Sequence, residues 1–121
     1  MVPLIDNGTI ALTGLALDAT VMRHRAIAQN IANANTPGYR AVEVSFETHV
    51  RALQSAGGEG GPTPQALAAL RPQMRLADTG QVSLDTQMVQ LAENTLHHEA
   101  LLKALNKEFA IMSAAIGEGK R

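Results

Sequence analysis

"LDTQMVQLAENTLHHEALLKALNKEFAIMSAAI", residues 84–116, decides the fold. Leu84, Met88, Leu91, Thr95, His98, Leu102, Leu105, Phe109, Met112 and Ile116 recur at alternating spacings of four and three. Such a row is the mark of a heptad helix that packs along a second helix. Thr95 and His98 interrupt it near its middle. Ser83 is placed to cap the start, and Asp85 sits in the first turn, where the helix dipole favours negative charge. Gly117 is placed to end it. The expected helix, 83–117, is a rod of about 50 Å at ~1.5 Å per residue. A row of Leu, Met and Phe that long needs a partner.

The partner is legible at the other end of the chain. Leu12, Leu15, Ala19, Met22 and Ala26 form a matching row, and Ile27, Ile31 and Ala34 form a second stripe beside it. The pattern predicts a helix over 10–35. Its first stripe is expected to pair with the tail helix and its second to meet a neighbouring molecule. Asn30 and Asn33 sit on one side of that helix, where the next apolar positions would fall. A buried amide must find a partner, so amides at such positions fix register at a cost in stability. Asn35 is expected to end the helix in the left-handed conformation. Thr36 is pushed extended by Pro37, and Pro37-Gly38 suits the centre of a type II turn closing at Tyr39.

Between the two helices, residues 36–82 read as a largely irregular loop region able to hold short strands. "VEVSF" (42–46) alternates like a strand, while Phe46, Val50 and Leu53 have helical spacing. A Gly/Pro-rich tether covers 55–65. "MRLADTG" (74–80) suggests one more extended piece and a turn at Asp78-Thr79-Gly80. Residues 1–121 thus form a single rod-type domain of all-α class: long N- and C-terminal helices paired as an antiparallel coiled coil.

Composition narrows the function. Apolar residues make up 45% of the chain but aromatic ones only 2%, which suits helix-on-helix packing better than a thick globular core. The net charge of -1 and the lack of a basic block give nothing to draw nucleic acid. Cysteine is absent, so disulfides, thiolate catalysis and Cys-based zinc sites are excluded. No run reaches the length of a membrane span, and the first residues do not read as a cleaved signal peptide.

"HHEALL" (97–102) fails as a zinc helix because Leu101 and Leu102 stand where a second His is needed. His97 and His98 point to different sides of a helix. His24 and His49 lack acidic partners at useful spacing, and "MRHR" (22–25) reads as a solvated face. The glycines at 57–61 lack the Lys and Ser/Thr of a phosphate loop. No catalytic, metal or cofactor site emerges, and no small-molecule substrate is implied.

"NIANANTPGYRAVEVSFE" (30–47) followed by a C-terminal heptad helix resembles the bacterial flagellar axial proteins, the rod and hook family. The similarity covers about 12–47 and 82–116. Its short length and the "TPGYRAVEVSFE" stretch place it nearest the proximal-rod members. It departs from their pattern at Asp85 and Gln87, where Glu is common, and at His97-His98, where Tyr is usual.

The resemblance implies a structural subunit of the proximal rod in the periplasm, exported through the flagellar type III apparatus without a cleaved signal peptide. It implies assembly with copies of itself, with other rod proteins, and with export-gate and membrane-ring components at the rod base. The residues expected at assembly interfaces are Ile27, Asn30, Ile31, Asn33, Asn35, Thr36, Pro37, Gly38, Tyr39, Leu91, Leu102, Leu105 and Phe109. The alternative is a cytoplasmic helical adaptor or chaperone that binds a partner helix. That reading explains the heptads but not the Asn-Thr-Pro-Gly-Tyr signature.

Overall fold

A computed structural model describes residues 7–60, 63–78 and 81–119. In chain order its elements are helix α1 (Asn7–Ala32), strand β1 (Val42–Ser45), helix α2 (Glu47–Ala56), a 3-10 turn (Gly58–Gly60), helix α3 (Pro64–Ala69), strand β2 (Gln73–Leu76) and helix α4 (Leu84–Gly119). The expected pairing of the two long helices holds. They run antiparallel: Thr13 lies beside Glu108, Thr20 beside His98, and Asn30 beside Gln87.

Local chemistry sets the ends. Ser83 caps α4, its Oγ accepting from the Thr86 N–H at 3.4 Å while its carbonyl accepts from the Gln87 N–H at 3.0 Å. Gly117 does not end α4, which continues to Gly119. With no residue after it that forbids helix, a glycine costs about 1 kcal/mol and is tolerated. Helix α1 stops through two successive turns, Thr36 N–H to the Asn33 carbonyl at 3.0 Å and Tyr39 N–H to the Thr36 carbonyl at 3.2 Å.

The second of these is the expected type II turn, with Gly38 at φ +77°. Asn35 is not left-handed: among the described residues only glycines have positive φ. The turn from Asn33 to Thr36 needs no left-handed residue, so Gly38 alone carries that conformation. No atom lies within 4 Å of a Cβ built on Gly38. Gly38→Ala is therefore expected to cost about 1–2 kcal/mol from backbone strain alone, without a clash. Urea unfolding of the two proteins measures it, and equal midpoints would show that the turn relaxes.

The middle of the chain is more ordered than a loop. β1 and β2 pair antiparallel with Val42 opposite Leu76, Glu43 opposite Arg75 and Val44 opposite Met74. The cross-strand pair Arg75–Glu43 closes at 2.8 Å on the outer face. Thr63 caps α3 by accepting from the Ala66 N–H, and Pro64 at the first helical position needs no donor there. The region expected as tether begins inside α2 and ends inside α3, with the 3-10 turn between them. Thr79 and Gly80, the end of the expected turn, fall outside the described residues.

Phe46 sits at the junction of β1 and α2, and its side chain is buried. It forms the core with Ala19 and Leu70, and Leu12, Leu15, Ala16, Val50 and Leu53 close around it. This adds a second partner for the first stripe of α1. Leu12, Leu15 and Ala19 pack around Phe46 of the middle segment, and Leu12 shares a hollow with Leu101 of the tail helix. The middle segment folds across that stripe because its own Phe46, Val50 and Leu53 have nowhere else to go.

Candidate assembly interface

The asparagine at the end of α1 does more than set register. Asn30 is 2% exposed, and its amide uses all its bonding capacity. The Nδ2 group donates to the Val42 carbonyl at 2.8 Å and to Gln87 Oε1 at 3.0 Å. Oδ1 accepts from the Val42 N–H at 2.9 Å and from the Tyr39 hydroxyl at 3.1 Å. A main-chain N–H can only donate, so Val42 fixes which way the amide points. One side chain thus ties α1 to β1, to α4 and to the turn.

The neighbouring amide behaves differently. Asn33 Nδ2 donates to the Gln29 carbonyl of its own helix at 2.9 Å, and its Oδ1 accepts from the Thr36 hydroxyl at 3.2 Å. It shapes the turn locally, both of these bonds staying within a few residues of it. Asn35, Thr36, Pro37 and Gly38 form an exposed tip, Tyr39 and Ile31 are half-buried, and Ile27 is buried against β1 and α4. Of the stripe expected to face a neighbour, Ile27 is therefore covered by the chain itself. The two-stranded sheet, which the sequence reading left open, supplies that cover.

Helix α4 departs from expectation in register. Leu91, His98, Leu105 and Met112 line the contact with α1, half-buried, as the heptad predicts. The flanking row that turns inward is Gln87, Asn94, Leu101 and Glu108, not Met88, Thr95, Leu102 and Phe109. Leu102 is 40% exposed and Phe109 50%. The inward row is the more polar one because α1 meets it with polar groups. Asn94 Nδ2 donates to the Thr20 carbonyl at 2.8 Å. The Thr20 hydroxyl lies 2.7 Å from both the Leu17 carbonyl and His98 Nδ1. Its single proton goes to the carbonyl when His98 carries the Nδ1 proton and donates to the hydroxyl.

Two atoms of this row have no hydrogen-bond partner among the described residues, Asn94 Oδ1 and Glu108 Oε2. Periodicity could not single out Gln87, Asn94 and Glu108, since the two rows flank Leu91, His98, Leu105 and Met112 symmetrically and hydropathy favours the other one.

Beside this row, Arg23 and Glu47 close an ion pair at 2.8 Å, and Arg23 also donates to the Val44 carbonyl at 3.2 Å. Burial raises the Glu47 pKa. Hydrogen bonds from its own backbone and from Arg23, with the Arg23 charge and a smaller share from His97, outweigh this and hold it below the usual carboxylate range.

A carboxyl with a folded pKa below its unfolded value adds stability above the unfolded pKa, about 4.3 for Glu. That stability fades as pH falls through the folded value. Glu47→Gln is thus expected to cost stability near pH 7 and nothing once the pH is below the folded pKa. Half the side chain is exposed, so the loss should stay within the ~0.2–1 kcal/mol of solvent-screened pairs. Unfolding curves from pH 3 to 7 read it, and a pH-independent difference would deny the ion pair its role. Among the described residues no group of three or more His, Asp or Glu could hold a metal ion.

Related proteins identify the family. A model of the flagella basal body rod protein family matches residues 16–40, the stretch holding Asn30 and the type II turn. The chain is 30% identical to the flagellar basal body rod protein FlgB of Cereibacter sphaeroides, over 79% of this chain and 84% of that one. The chain belongs to the FlgB family. It is 25% identical to FlgB of Bacillus subtilis over 94% of this chain and 97% of the relative. With FlgB of Escherichia coli the identity is also 25%, over 86% and 89%. The match therefore spans both long helices and the middle segment.

Proposed function

We infer that the chain is a structural subunit of the flagellar basal-body rod, assembling through its two terminal helices. The observation that carries the reading is the FlgB family membership joined to an α4 whose large apolar residues Met88, Leu102, Phe109 and Ile116 stand in solvent. A helix apolar on more than one side belongs among neighbours. In finer detail, the subunit belongs to the proximal rod in the periplasm and contacts copies of itself, other rod proteins, and export-gate and membrane-ring components. It travels through the flagellar type III apparatus without losing a signal peptide. No helix among the described residues is long and apolar enough to cross a membrane. The adaptor reading draws only on the heptads, which a rod subunit needs equally.

Basal bodies purified from the source strain test this. The chain should be present in them at its full, uncleaved mass, and cells lacking it should form no rods and not swim. Rods of normal length in the deletion strain, or a chain confined to the cytosol, would overturn the reading.

A further inference from the structure

We propose that the open side of the α1–α4 hairpin docks a second copy of this chain, with α4 of one copy antiparallel to α1 of the next, Phe109 over Gly14 and Leu102 over Val21. The proposal rests on the rod reading above and names the surface that does the assembling.

The hairpin has two sides. On one, α2 and β1 cover it: Phe46 and Val50 meet Leu12 and Ala16 of α1 and Leu101 of α4 around a single hollow. On the other, a shallow cleft between the long helices is lined by Val21, His24 and Arg25 from α1 and by Thr95 and His98 from α4. No element of the chain lies over that side among the described residues. On α4 this side carries every seventh residue from Met88: Thr95, Leu102, Phe109 and Ile116 follow, and the four apolar ones are 40–57% exposed. On α1 it carries Gly14, Val21 and Ala28, also seven apart, flanked by Ala11, Asp18, Arg25 and Ala32. A Cβ at Gly14 would meet nothing within 4 Å, so the surface there is a dent open to solvent. One helix offers a ridge of large side chains and the other a groove of small ones, at the same period.

The register follows from size and charge together. Run antiparallel with Phe109 at Gly14, the two rows put Leu102 at Val21 and Thr95 at Ala28. Asp18 then lies within a turn of Lys103, and Arg25 within a turn of Glu99. Asp18 and Arg25 on α1, and Glu99 and Lys103 on α4, fall on the same flank of the contact only when the helices run antiparallel, so the opposite charges select that arrangement. Every copy carries both the ridge and the groove, so the contact repeats from copy to copy.

The chain has no cysteine, so introduced thiols are unambiguous. Val21→Cys and Leu102→Cys variants are co-expressed in the deletion strain, and purified basal bodies are mildly oxidised. A covalent dimer containing one of each variant is expected, and none from either variant alone. Incorporation of both without that dimer, or a Val21→Cys dimer, overturns the contact while leaving the rod reading intact.

Absence of the unmodified chain from basal bodies would instead sink the rod reading. The same oxidation on the mixed purified proteins at high concentration then decides the contact: the mixed dimer supports it and its absence overturns it. A charge swap guards against variants that misfold. Asp18→Lys or Lys103→Asp alone should lower the mixed dimer by up to about fivefold, and the two together should restore it. Failure of the pair to recover would refute the register.

Discussion

Asn30→Leu is expected to remove about 3–5 kcal/mol of stability, the largest loss of any substitution outside the apolar core. The change swaps a side chain of similar branching, so volume is not the issue. What is lost is the partner of four groups: the Val42 N–H and carbonyl, the Tyr39 hydroxyl and Gln87 Oε1. Gln87 is itself buried, so its Oε1 does not readily regain a partner from water. Each buried group left unpaired costs about 1–3 kcal/mol, and the apolar gain of a leucine, roughly 1.5–3 kcal/mol, recovers only part.

For a small domain with about 5–15 kcal/mol in total, the loss separates β1 and the start of α4 from α1 well before global melting. Amide hydrogen exchange would report it first at Val42. Urea unfolding followed by circular dichroism gives the size. A variant within 1 kcal/mol of the parent would mean that water replaces the asparagine without difficulty.

The contrast between Asn30 and Asn33 shows how far the sequence speaks. Both interrupt an apolar row, and both read as register groups. Within the chain only Asn30 bonds across the helices, because a second polar residue, Gln87, arrives opposite it from the other end of the chain. No local pattern announces that meeting. Gly38 was legible for the opposite reason. Its turn depends on Pro37 before it and on its own missing side chain, and both are written in four adjacent residues.

The heptads of α4 lie between these cases. Spacing alone fixes Leu91, His98, Leu105 and Met112 as the line of contact. It leaves two flanking rows, and hydropathy picks Leu102 and Phe109 when α1 in fact meets Asn94 and Glu108. That choice fails because hydropathy measures what a residue avoids, which is water, and not which neighbour will shield it. The apolar row is expected to be shielded by another copy.

The polar inner row leads to the second large effect. Asn94→Leu combined with Glu108→Met should stabilise the isolated subunit by about 1–4 kcal/mol, the range seen when buried polar or ionic groups give way to apolar ones. Asn94 is 5% exposed, and its Oδ1 lacks a partner among the described residues. Its one bond goes to the Thr20 carbonyl, which lies within α1 and has a helical donor as well. Glu108 Oε2 is equally orphaned, and its Oε1 lies 3.4 Å from a Thr13 hydroxyl whose proton is already directed to the Thr9 carbonyl.

A buried oxygen left without a partner costs stability without a matching gain, so its removal should raise the unfolding midpoint. The same change should impair function. On the export route proposed above, the subunit must open its helix pair first, and every ~1.4 kcal/mol added lowers the unfolded fraction tenfold. Secretion of the double variant is therefore expected to slow, with fewer complete rods per cell, although each folded subunit packs its neighbours as before. Pulse-labelled secretion beside urea unfolding of the purified protein measures both halves. Normal secretion of a variant more stable by 2 kcal/mol would mean that the polar row has no part in keeping the subunit easy to open.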